Sequence, residues 1–364
     1  MFRSLYIHVP FCNRKCDYCA FYSLGSSTAE QHRAYLDRIQ ADFIEWQPQC
    51  EPLESIFIGG GTPTALSPTE LGRLLELVRT SFTLKNDCEW TCEATPDSLT
   101  NETIEALADG GVNRVSIGIQ SFDDAELKAI GRRSSVRDVS EKVRMLRSNG
   151  IGNINFDFIY LIPGQTVESF ASSLRKGLEL CPEHVSAYAL TLEERSILAK
   201  RIDAVDDTAF EQFWDTADDV LGRAGLERYE ISNFAQKGKR CRHNEEIWHG
   251  QTYLGCGPAA TSFDGETRFT QPPNLAQWLR HEPPERDTLP QRERACEILA
   301  FGMRTTDGWN WNRFTERTGF DPMVLRGEQL FTLKKRGLLD VDSTGARPTR
   351  LGLLFNDDIL SELI

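Results

Sequence analysis

The chain has 364 residues, 40% hydrophobic and 26% charged, an ordinary globular composition with room for one large domain and an appendage. Its 41 Lys and Arg against 54 Asp and Glu leave a net charge of −13, which argues against a broad nucleic-acid-binding face. No apolar run approaches the roughly 20 residues that span a bilayer. The opening MFRSLYIHVPFC lacks the basic, apolar and small-residue zones of a signal peptide, so a cytoplasmic protein is expected.

Leu5, Ile7 and Val9 alternate with Tyr6 and His8, which predicts a first strand running straight into a cysteine loop. A helix over about Ala29–Glu45 follows. SIFIGGGTPTAL reads as a buried strand, Ser55–Ile58, then a glycine loop and, after Ser67-Pro68, a capped helix. CEWTCEAT predicts a third strand ending at Glu93, LTNETIEALADGG a helix with a glycine stop, and VNRVSIGIQSF a fourth strand. A helix from Val136 to Asn149, a strand in NINFDFIYLIPGQT, a helix in FASSLRKGLEL and a strand in HVSAYALTLEE continue the alternation as far as RYEISNFA.

Six strands separated by helices indicate a parallel α/β fold, here a partial (β/α)6 barrel of TIM type and not a closed eight-stranded one. Cys12 to Cys19, Gly59 to Thr62, Glu93, Gln120 and Asp157 all fall after strand ends, on the rim where βα barrels build chemistry. The barrel is expected over 1–235 and a motif segment with a proline-rich connector over 236–285. A small, mostly helical, winged-helix-like domain is expected over 286–364. Acidic residues interleave with basic ones in that last piece, so packing or substrate covering is preferred to DNA binding.

Three of the ten cysteines, Cys12, Cys16 and Cys19, form a C-x3-C-x2-C set. A structural zinc site normally wants four protein ligands. Three thiolates leave one coordination position open, which suits an iron–sulfur cluster whose remaining iron can take a substrate. A zinc site completed by His8 is the alternative. The other seven cysteines are scattered and read as reduced thiols.

The trio, with Tyr18 inside it, resembles the cluster loop of the radical S-adenosylmethionine (SAM) superfamily, in which three thiolates hold a [4Fe–4S] cluster and SAM chelates the fourth iron. GGGTP resembles that superfamily's loop beside the SAM amino group. YIHVPFC, GGGTPT, CEATPDSL, RVSIGIQSF, GRRSS, FDFIYLIPGQT and YEISNFA, in this order, resemble the oxygen-independent coproporphyrinogen III oxidase-like branch, and within it the HemW-type haem chaperones. The resemblance implies a SAM pocket of Tyr6, Gly60, Gly61, Thr62, Glu93, Gln120, Arg132, Asp157 and Ile159. Glu93 and Asp157 would accept hydrogen bonds from ribose hydroxyls or the ammonium, and Arg132 would pair the SAM carboxylate.

Dehydrogenases of the branch carry a further cysteine two residues after the trio, where this chain has Phe21, and a longer arm than the eleven residues that precede Cys12 here. RCRHNEEIWHGQTYLGCGPAATSF resembles the H-N-x-x-Y-W haem motif and implies haem contact at His243, Asn244 and Trp248. Ile247 replaces the tyrosine, Thr261 stands where many relatives have histidine, and Cys241 offers a nearby thiolate. Imidazole is a common axial ligand of haem iron and an indole can stack on the macrocycle. The implied function is a haem chaperone that hands haem to respiratory or other haemoproteins, with cluster and SAM regulatory or structural. No nucleic acid is implied as partner, and peripheral membrane contact is left open. Two alternatives remain: coproporphyrinogen III dehydrogenase, working by oxidative decarboxylation through a 5′-deoxyadenosyl radical, and a related radical methyltransferase.

Overall fold

The computed structural model describes residues 1–132, 136, 138–194 and 196–364. Residues 133–135 of the GRRSS stretch lie outside the described residues. The chain opens with β1 (Phe2–Val9), then α1 (Ala29–Trp46), β2 (Cys50–Gly60), α2 (Pro68–Ser81), β3 (Leu84–Ala94), α3 (Asn101–Gly110) and β4 (Arg114–Gln120). It continues through α4 (Asp124–Ala129), α5 (Val139–Ser148), β5 (Asn153–Tyr160), α6 (Val167–Leu178), β6 (His184–Ala189) and α7 (Phe210–Arg223). Strands β1 to β6 pair in sequence order and in parallel. The sheet has two free edges, so the barrel is partial.

The helices start where local chemistry tells them to. Thr28 and Gln31 form a capping box at α1, and Ser67 and Glu70 form one at α2 with Pro68 in the first turn. Gly111, at φ 94°, ends α3 in the left-handed conformation that favours glycine. β4 is buried at every position, as a strand covered on both faces must be.

Past β6 the chain adds strands to both edges of the sheet. β7 (Glu227–Arg228) and β8 (Asn233–Ala235) extend the sheet beyond β6 in antiparallel fashion. After α8 (Arg242–Trp248), β9 (Tyr253–Cys256) returns to pair in parallel with β1 on the opposite side. β10 (Thr261–Phe263), β11 (Thr267–Thr270), α9 (Leu275–Leu279) and β12 (Glu285–Thr288) complete that edge. α9 lies inside the proline-rich stretch and holds because Asn274 caps it and Trp278 is fully buried beside Tyr35 and Arg38.

The C-terminal part comprises α10 (Gln291–Gly302), β13 (Trp309–Asn310), α11 (Trp311–Thr318), α12 (Pro322–Lys335), β14 (Leu339–Val341), β15 (Gly345–Pro348), α13 (Arg350–Leu354) and α14 (Asn356–Leu363). Its helices and the β14–β15 hairpin have the expected winged-helix-like arrangement around a second apolar core, which includes Phe263 of the sheet. It is fastened to the barrel by fully buried Glu230, which accepts hydrogen bonds from Arg304 Nε and Nη2 at 3.0 and 2.8 Å. Arg304→Met leaves that carboxylate buried without its cation. The expected loss is about 3 kcal/mol of unfolding free energy, measured by urea denaturation; a loss under about 1 kcal/mol would show that the pair does not fasten the two parts.

Candidate functional site

The cysteine loop is pinned at both ends and in the middle. Cys12 N–H donates to Leu24 O at 3.0 Å, Leu24 N–H to Pro10 O at 2.7 Å, and Thr62 N–H to Phe11 O at 2.7 Å. Asp17 bridges to the far side: its N–H donates to Ile130 O at 3.2 Å, its carbonyl accepts from Leu198 N–H at 2.7 Å, and its carboxylate takes Arg201 at 2.6 Å. The three cysteines are unbridged and only partly buried. They face a cavity of about 700 Å³ at the C-terminal ends of the parallel strands.

Of the residues expected around SAM, Gly60, Gly61, Thr62, Glu93, Gln120, Arg132, Asp157 and Ile159 line this cavity with the trio. Tyr6 does not. It sits beneath the wall, its hydroxyl 3.1 Å from His8 Nδ1. Sequence reasoning missed Ser116, Gly118 and Tyr188, which also line the cavity. Period-2 alternation through R-V-S-I-G-I-Q on β4 and H-V-S-A-Y on β6 was the available signal.

Two carboxylates share the cavity mouth. Asp157 accepts from Asn155 Nδ2 at 2.7 Å and Ser116 Oγ at 3.0 Å. Among the described residues Glu93 accepts from Gly60 N–H alone, at 3.1 Å, and burial together with the Asp157 charge pushes its pKa up to about 8. Burial raises Asp157 as well, against hydrogen bonds that lower it. Gln120 takes a left-handed φ of 69°, a strained conformation for a residue other than glycine, at the end of β4.

His8 cannot complete a zinc site here, because its Nε2 lies 2.8 Å from Tyr22 O and its Nδ1 faces Tyr6. Among the described residues no three His, Cys, Asp or Glu side chains gather as they would around one metal ion. A cluster asks for something different, since each thiolate binds its own iron.

The expected haem residues lie elsewhere. α8 packs under the barrel at the opposite strand ends, where Glu89 accepts from Arg242 N–H and His243 N–H, both at 3.0 Å. His243 is 3% exposed, with Nδ1 2.9 Å from Ser55 Oγ and its ring beside Phe57. Burial, with the Arg114 charge second, lowers its pKa to about 3, so the imidazole is neutral. Trp248 lies under the Arg304 guanidinium and Asn244 is half-buried on the same helix. Neither they nor His243 reach the cavity.

A Radical SAM superfamily model matches residues 6–176 and a HemN C-terminal domain model matches residues 289–355. Heme chaperone HemW of Lactococcus lactis is 32% identical over 372 residues, which cover 99% of this chain and 97% of that protein. The chain belongs to the HemW family. Radical S-adenosyl methionine domain-containing protein 1, mitochondrial, of Bos taurus is 32% identical over 386 residues, covering 99% of this chain and 87% of its own. The solved structure of Escherichia coli coproporphyrinogen III oxidase (HemN) matches with a TM-score of 0.85 over 99% of this chain and 89% of that one. At 24% identity it speaks for the fold alone.

Membership of the radical SAM superfamily implies a [4Fe–4S] cluster and SAM, and the residues present fit both. Arg132 is 6% exposed and its Nε has no hydrogen-bond partner among the described residues, while Nη1 lies 3.8 Å from Cys16 Sγ. A Cβ on Gly61 would stand 2.6 Å from Phe11 O and 3.1 Å from Cys12 Sγ, so only glycine lets the second strand end approach the loop. Gly61→Ala is expected to displace the loop. Iron and sulfide content after anaerobic reconstitution should fall to about half or less at unchanged helix content by circular dichroism. Wild-type loading in this variant would show that the close approach is not needed.

Proposed function

We propose that this protein is a cytoplasmic haem chaperone that passes haem to acceptor haemoproteins, with a [4Fe–4S] cluster on Cys12, Cys16 and Cys19 and SAM in the cavity. The observation that carries the reading is the similarity to HemW along the whole chain. Arg132, buried beside Gln120 with one guanidinium nitrogen unpartnered among the described residues, suits the SAM carboxylate, and Glu93 and Asp157 suit its positive charges. A cluster bound here would leave one iron for the SAM amino and carboxylate groups and could supply an electron to the sulfonium.

Among the described residues the cavity wall carries Glu93, Asp97, Asp157 and Glu193 beside Arg14, Lys15 and Arg132, so carboxyl groups are at hand for the positive charges of SAM. Phe21, 68% exposed, stands where the dehydrogenases have a further cysteine, which speaks against coproporphyrinogen turnover. Haem ligation through His243 follows release of α8 from its seat, because in the docked conformation the ring is enclosed.

Binding a cation favours the ionised form of Glu93, whose pKa in the ligand-free protein is about 8. SAM affinity should therefore rise between about pH 7 and 9, and binding at pH 7 should release a proton, seen by calorimetry in buffers of different ionisation enthalpy. Glu93→Gln should flatten the profile; an unchanged profile in this variant would remove Glu93 as the titrating group.

The decisive experiment is an anaerobic haem titration of the cluster-loaded protein, followed in the Soret region. Saturation near one haem per chain is expected, with affinity about tenfold weaker in His243→Ala. No saturable change would defeat the chaperone reading, and turnover of coproporphyrinogen III with SAM and a reductant would replace it.

A further inference from the structure

Between the cavity and α8 the barrel is filled by a chain of hydrogen bonds. Asn155 Nδ2 donates to Asp157 Oδ1 at 2.7 Å and to Ser116 Oγ at 2.6 Å. Its Oδ1 faces His184 Nδ1 at 2.6 Å and accepts from Ser186 Oγ at 3.2 Å. All four hydrogen-bonding positions of this amide are used, which fixes its orientation. His184 Nε2 lies 2.9 Å from Tyr229 Oη, and that oxygen accepts from Cys241 N–H at 3.2 Å, at the start of α8. Asn155, His184 and Tyr229 are each no more than 1% exposed.

The direction of every bond follows. The Asn155 oxygen can only accept, so His184 carries its proton on Nδ1. Its Nε2 is then an acceptor, and the Tyr229 hydroxyl must donate to it. Burial and the Arg114 charge keep this imidazole neutral, which preserves the assignment. Every donor therefore points towards the cavity: Cys241 to Tyr229, Tyr229 to His184, His184 to Asn155, and Asn155 to Asp157. Ser116 Oγ closes the other carboxylate oxygen at 3.0 Å. With donors on both oxygens, Asp157 is held as an acceptor with one orientation.

Tyr229 also grips the C-terminal part. Its carbonyl accepts from Thr306 N–H at 2.9 Å, and the neighbouring Glu230 holds Arg304, whose guanidinium covers Trp248. One side chain thus ends the chain from the cavity while its backbone joins the element that clamps α8.

We propose that His184 and Tyr229 are positioning residues that orient Asp157 in the cavity and couple its occupancy to the docking of α8. The coupling rests on the reading of the cavity as a SAM site. A cation on Asp157 strengthens the demand for an acceptor there and so favours the one bond order in which the Tyr229 hydroxyl proton has an acceptor, His184 Nε2. With Asp157 disturbed, Asn155 and His184 can turn over; His184 Nε2–H then donates to Tyr229 Oη, the Tyr229 proton loses its acceptor, and the hydroxyl that receives Cys241 N–H at the start of α8 must shift.

Amide hydrogen exchange of the full chain with its cluster in place, read over residues 241–249 with and without saturating SAM, tests this. SAM should slow exchange there about fivefold in wild type. Tyr229→Phe keeps the ring and removes the hydroxyl: the basal exchange rises and the effect of SAM at these amides disappears, although SAM still binds by equilibrium dialysis. A purely structural Tyr229 would raise basal exchange and leave the SAM effect intact. That result overturns the proposal, as does a wild-type α8 indifferent to bound SAM. His184→Gln gives the same readout if Tyr229→Phe does not fold. If dialysis finds no SAM on wild type, the reading of the cavity fails and the coupling is judged from Asp157→Ala alone. Exchange over 241–249 accelerated about fivefold then supports it, and unchanged exchange overturns it.

Discussion

Two carboxylates at the mouth of one barrel cannot be treated alike, and the surrounding structure is organised around their inequality. Asp157 is given side-chain donors, Asn155 and Ser116 among them, while Glu93 is given a backbone amide and has Asp157 for a neighbour. Burial raises both, hydrogen bonds oppose the rise at Asp157, and Glu93 is the group that gives up its proton when a positive charge arrives. Arg114, buried among them and Glu89, is the interior cation that makes this much negative charge tolerable. Burial first, and the same cation second, disfavour protonation of His184 and His243, so these two imidazoles stay neutral.

That neutrality matters at the lower end. α8 has no side-chain cap of its own; Glu89, reaching from β3, accepts from its first two amides instead. His243 fills the space beneath Ser55 and Phe57, and Trp248 carries the guanidinium that joins the C-terminal part. The residues that resemble a haem motif are therefore also the floor of the barrel and half of its joint. A ligand that draws on them competes with those contacts, so its apparent affinity is reduced by the fraction of molecules in which α8 is undocked.

Much of this was legible locally. The cysteine trio, the capping residues Ser67 and Thr28, and the polar positions that end β2 to β5 are all short-range patterns, and the alternation of strands and helices led to the partial barrel. What local pattern did not reveal was pairing across great sequence distance. β9 is four residues long and lies about 250 residues from β1, and nothing in Y-L-G-C announces a parallel strand. The role of Tyr229 depends on three partners from three parts of the chain. His243 was noticed for its chemistry, but a motif carries no information on burial, and Ser55 gives no hint that an imidazole lies on it. Tyr6, which the family resemblance puts at the SAM pocket, does not line the cavity. Alternation puts it on the inward face of β1 without saying how far below the mouth that position stands.

The open coordination position and the missing thiolate belong to one electrostatic argument. A fourth cysteine at position 21 would add a thiolate to a wall that already carries Glu93, Asp97, Asp157 and Glu193; Phe21 adds none, and its carbonyl instead accepts from Lys15 Nζ at 3.0 Å. The cavity is left with carboxyl groups for a cation and, in Arg132, a buried guanidinium for a carboxylate, a pattern that suits a zwitterionic sulfonium. The acidic wall and the neutral floor stand at opposite ends of one set of strands. The side chains between them are hydrogen-bonded in a single direction, so what binds at the top alters which arrangement of the interior is satisfied, and the floor is part of that arrangement.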